Sequence, residues 1–108
     1  MLKEIIEAFA KIEIYEKRDA TDSYYEAVFH NKDVGELEKA LGGIFGPAVK
    51  PVKKKPAKED SLITRDFGGI RGEQTLFRKD ADGVTIIAML WPWQDALHTT
   101  LKIAILKQ

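Results

Sequence analysis

Apolar residues recur at three- and four-residue steps through the start of the chain, at Leu2, Ile5, Ile6, Phe9, Ile12 and Tyr15. This is the period of an amphipathic helix. Glu4 and Glu7 sit early and Lys17 and Arg18 late, as the helix dipole favours. The spacing predicts a single helix here, followed by a turn at Asp19–Ser23. The period then drops to two. In "SYYEAVFHN", Tyr25, Ala27 and Phe29 share one face, and Tyr24, Glu26, Val28 and His30 share the other. That alternation predicts a half-buried strand. Asp33 followed by Glu36 resembles a capping box and opens a second helix. Its apolar stripe is Val34, Leu37 and Leu41, extending to Ile44 and Phe45, and Gly42–Gly43 falls where the helix is expected to end.

Residues 46–60 hold three prolines and five lysines and little that could enter a core. They read as a flexible, extended basic loop. Beyond them four strands are expected: "SLITRDF" (Ser61–Phe67), "EQTLFRK" (Glu73–Lys79), "VTIIAMLW" (Val84–Trp91) and "HTTLKIAIL" (His98–Leu106). "DADG" (Asp80–Gly83) reads as a hairpin turn of the type I kind followed by glycine. Val84–Trp91 is apolar on both faces, as in a central strand covered on both sides. Pro92 has no amide hydrogen and should end that strand. In the last strand Leu101, Ile103 and Ile105 point one way, and His98, Thr100 and Lys102 the other. The order α-β-α-β-β-β-β predicts a single α+β domain over residues 1–108. Its two layers are a four- to five-stranded, mainly antiparallel sheet and two helices packed on one face.

Composition narrows the function classes. Lysine plus arginine and aspartate plus glutamate both total 17, so no net field marks a nucleic-acid or membrane binder. The balance is uneven along the chain. Residues 1–47 carry six basic and ten acidic side chains, residues 48–58 five lysines and no acid, and residues 59–108 six basic and seven acidic. The chain has no cysteine, which excludes disulfides, thiolate metal sites and a cysteine nucleophile. No apolar run is long enough to span a bilayer, and the charged N-terminal residues do not resemble a signal peptide. A cytoplasmic protein without membrane contact is expected.

Five features carry candidate chemistry. "GGIFG" (Gly42–Gly46) and "GGIRG" (Gly68–Gly72) suggest a phosphate cradle. The first, however, closes a helix and the second precedes a strand, whereas an anion site needs a helix N-terminus after the glycines. Lys50, Lys53, Lys54, Lys55 and Lys58, with Arg71, form a weak candidate anion or nucleic-acid site that lacks interleaved aromatics for base stacking. "DADG" fails as a calcium loop, because Arg78 and Met89 fall on the outer ligand positions. Only two histidines occur, far apart and in no H-x-x-x-H pair, so neither metal nor cofactor is expected. His98, Thr100 and Lys102 form a candidate polar patch, in which Asp95 or Glu26 could support His98 as a general base.

"WPWQDALH" (Trp91–His98) is the most unusual stretch. Trp91, Trp93 and Gln94 are the candidate partner-binding residues, since tryptophan is enriched at interface hot spots. The sequence therefore favours a small, non-enzymatic interaction module. It would dock a protein partner or self-associate, as in a homodimer, around Trp91–Trp93 and the sheet edge. The alternatives are weak anion or nucleic-acid binding through the Lys50–Lys58 loop, and a small ligand-binding or enzymatic domain centred on His98.

Overall fold

The computed structural model describes residues 2–107. It has the α+β architecture that the pattern predicts, with five antiparallel strands. The elements are α1 (Leu2–Glu7), β1 (Ile14–Ala20), β2 (Tyr24–His30), α2 (Val34–Phe45), α3 (Lys58–Thr64), β3 (Thr75–Ala81), β4 (Val84–Pro92) and β5 (His98–Lys107). In space the strands run β1-β2-β5-β4-β3. The chain makes one hairpin, crosses through the helices to the opposite edge, and meanders back until β5 closes against β2.

Where the elements differ from expectation, packing gives the reason. The first helix stops at Glu7. Tight bonds from Ala8 N to Ile5 O, Phe9 N to Ile6 O and Ile12 N to Phe9 O then carry Phe9 and Ile12 into the core. The apolar spacing is thus honoured by a short helix and a coil of turns. Tyr15 leaves that face altogether, because Ile14–Ala20 is the edge strand β1, exposed along its whole length. Ser61–Phe67 is the converse case: it is helical, as α3 and a following 3-10 turn at Arg65–Phe67. The Ala57 amide donates to the Asp60 carboxylate at 3.0 Å, which caps α3 at its first turn. The helix begins at Lys58, inside the segment expected as loop.

α2 runs past Gly42–Gly43 to Phe45 and closes at Gly46, whose φ of 80° suits glycine and whose amide donates to Gly42 O. The β3–β4 hairpin has a two-residue turn. Asp82 and Gly83 both have positive φ, at 51° and 78°, with Ala81 paired to Val84. This is the mirror-image type I′ turn, whose twist matches the strands better than the expected type I form.

Both faces of β4 are buried, as its unbroken apolar run predicts. On one face Ile86, Ala88 and Leu90 pack with Phe29, Leu101 and Ile103 against the helical layer, which contributes Leu2, Ile5, Phe9, Leu37 and Leu41. Ile87 and Met89 join Leu76 and Ala104 in a second cluster on the opposite face, under Ile63, Phe67 and Ile70. Each fully buried Leu, Ile, Phe or Met among them contributes about 1.5–3 kcal/mol. This second layer covers the β3–β4 side of its face and reaches β2 at Tyr24, whose ring stacks on Phe67 with centres 5.6 Å apart; the rest of the β1–β2 side lies outside it. Among the described residues, no helix is long and apolar enough to cross a membrane.

Candidate functional site: an aromatic–histidine face

The β1–β2 end of that face carries a group of chemistry-bearing residues packed over buried Val28 and Thr100. β1 pairs with β2 through two bulges. One lies between Ile14 and Glu16, opposite Phe29 and Val28, and the other between Lys17 and Asp19, opposite Ala27 and Glu26. A bulge adds a residue to one strand and re-aims its side chain. Here the extra residues are Tyr15 and Arg18, and both turn onto the open face. The Tyr15 ring lies 4.1 Å from the His98 ring, 5.4 Å from His30 and 6.5 Å from Trp93. The Arg18 guanidinium carbon sits 5.4 Å from the centre of the Trp93 ring. Arg18 Nε also donates to Glu16 at 2.8 Å, and Nη1 lies 3.7 Å from Glu26.

The β4–β5 connection holds the other side of the group. After Pro92, Trp93 donates from its indole nitrogen to Thr100 Oγ1 at 2.8 Å, and its backbone amide donates to His98 O. Asp95 organises the loop. Its Oδ1 accepts from the Leu97 and His98 amides at 2.8 and 3.1 Å, and its Oδ2 meets His98 Nδ1 at 2.6 Å. The hydrogen bond to His98, aided by the Leu97 amide, holds the Asp95 carboxyl below the usual carboxylate range. His30 lies directly across the ladder from His98, with ring centres 5.7 Å apart. Its Nε2 pairs with Glu13 Oε1 at 3.1 Å. A cavity beside the group is lined by His30, Asn31, Lys32, Ala96, Leu97 and His98.

The residues singled out from sequence are distributed unequally around this face. Trp93 is in it, and Gln94 is exposed at the turn beside it. Trp91 is not part of it. Its ring packs into the second cluster beneath Gly68, where an added Cβ would lie 2.3 Å from the indole. The polar patch is likewise divided. Thr100 is buried beneath Trp93, whereas the Lys102 ammonium sits 3.5 Å over the Trp91 ring and donates to Phe67 O at 2.9 Å. Burial pushes the Lys102 pKa down.

The basic segment is partly structural. Lys50 is fully buried, and its ammonium donates to the carbonyls of Pro51, Gly72 and Gln74 at 3.0, 2.9 and 2.5 Å. That removes Lys50 from the anion-binding set. Lys53, Lys54, Lys55, Lys58 and Arg71 are exposed. The Lys53 amide bonds to Gly72 O at 2.7 Å, which fixes the lysines next to the second glycine phrase.

Tyr15, Arg18, Glu13 and His30 were absent from the sequence-derived set. Tyr15 and Arg18 fall within the first helical pattern, and only the bulges of a strand bring them here. His30 alternates correctly on its strand, but its neighbour His98 is 68 residues away. Comparison with protein-family models, curated proteins and solved structures finds no match to this chain.

Proposed function

We propose that the protein is a non-enzymatic interaction module whose docking face is the open group around Tyr15 and Trp93. Its partner is a protein segment presenting an arginine or lysine side chain. The carrying observation is the Arg18 guanidinium over Trp93. An indole face attracts a cation through its quadrupole, by about 0.5–1 kcal/mol at an exposed site. Glu16 and Glu26 lie against that guanidinium, while Glu13 and Asp95 pair with His30 and His98, so carboxylates outnumber the arginine around this group and favour a further cation. Half-exposed Tyr15, with exposed Leu97, supplies apolar contact. Docking is through side chains rather than strand addition. Two bulges and the charged run Glu16–Asp19 guard the β1 edge against pairing.

The test is a titration with arginine-rich and glutamate-rich peptides, read by tryptophan fluorescence. The basic peptide should change the emission of the unaltered chain and leave Trp93→Phe unchanged. Equal responses to both peptides, or an undiminished response in Trp93→Phe, refute the reading. A concentration-dependent dimer on sizing, lost in the same variant, would make the occupant a second copy.

A second reading, a small-ligand site at His98, is favoured by the cavity that both imidazoles line.

A further inference from the structure

We propose that His30 and His98 form a binding site for a divalent transition-metal ion of the class that prefers imidazole, with zinc as the probe. The inference stands independently of the docking reading. The two residues are register partners on β2 and β5. The Asn31 amide bonds to Leu97 O at 2.9 Å, which makes Asn31 and Leu97 a hydrogen-bonded position of the ladder. Such positions alternate, so His30 and His98 occupy the close, non-hydrogen-bonded pair in which side chains approach best.

Each imidazole uses one nitrogen on a carboxylate. Glu13 takes His30 Nε2 from the β1 side, and Asp95 takes His98 Nδ1 from the β4–β5 loop. His30 Nδ1 and His98 Nε2 have no hydrogen-bond partner among the described residues. A carboxylate on the far nitrogen is the usual support of a metal-binding histidine, fixing its tautomer and raising its basicity. Zinc binds imidazole nitrogen at about 2.0–2.1 Å, so two rings sharing one ion have centres about 5–6 Å apart. The observed separation is 5.7 Å. No group of three or more His, Asp or Glu side chains is placed to hold an ion among the described residues. The histidine pair therefore supplies two ligands, and the adjoining cavity leaves the other positions to water or to a donor atom of a bound molecule.

Zinc titrated alone into the full chain, followed by calorimetry and amide NMR, tests the site. Shifts should centre on His30, His98 and neighbouring Tyr15 and Trp93. His30→Gln and His98→Gln should each weaken binding at least about tenfold, and Asp95→Asn by about tenfold through loss of the supporting carboxylate. Lys53→Ala should bind zinc as the unaltered chain does. Cobalt(II) on the unaltered chain gives a readout that needs no variant, since ligation should shift ring protons of both histidines. Binding unchanged in both histidine variants, shifts centred on other carboxylates, or no binding at millimolar zinc would overturn the proposal.

Discussion

Lys50 sits in a lysine-rich run and yet is fully buried, with its ammonium enclosed by three carbonyls. Desolvation lowers its pKa, and the carbonyls supply the partners that water no longer does. Its backbone also pairs with Leu76 on β3 in both directions, at 3.2 and 2.9 Å. Lys50→Met should therefore destabilise the protein by about 1–3 kcal/mol, the cost of buried carbonyls left without a donor. Urea unfolding measures this, and a midpoint equal to that of the unaltered chain would contradict it. Gly68 is a comparable single-residue constraint, with φ of 99° and the Trp91 indole against its Cα. Neither role is visible in sequence, where Lys50 is one lysine of five and Gly68 one glycine of a repeated phrase. Both depend on what lies across from them.

At the scale of elements, β2, α2, β4 and β5 follow directly from periodicity, because each buries a face that its apolar spacing marks. β1 does not, since it buries nothing and its residues are mostly charged. Its strand state comes from pairing with β2 alone. Ser61–Phe67 has a pattern short enough to fit strand or helix, and the Asp60 cap decides for helix. The β4–β5 loop is held by Asp95, whose carboxyl is depressed by His98 and backbone amides. A depressed carboxyl contributes stability above its unfolded value, and that contribution is lost as pH falls through the folded value. On acidification the Leu97 and His98 amide resonances should thus move with an apparent pKa below that of an ordinary aspartate. Asp95→Asn should abolish that acid titration. A transition at the ordinary value would show that the carboxylate does not organise the loop.

At the scale of the molecule, the sheet order decides which surfaces exist. Inserting β5 between β2 and β4 places His98 opposite His30 and divides the two tryptophans between a core and an open face. The basic segment lies at the other end of this arrangement, against Gly72 and β3. Replacing Lys53, Lys54, Lys55 or Lys58 singly by glutamine should change stability by no more than about 0.5 kcal/mol, because all four are exposed. Thermal unfolding checks this, and a clear loss of stability would mean that the lysines hold the segment in place.

The sequence by itself determined the α+β class, the antiparallel strands, the doubly buried β4 and the chemistry excluded by the lack of cysteine. Those properties rest on local spacing and composition, which pair each residue only with near neighbours. The tertiary structure alone decided the edge strand β1, the burial of Lys50, the core role of Trp91 and the meeting of Tyr15, His30, Trp93 and His98. Each of these depends on strand order and register across long separations. Register is fixed only when the buried faces pack together, and with it the identity of every cross-strand neighbour.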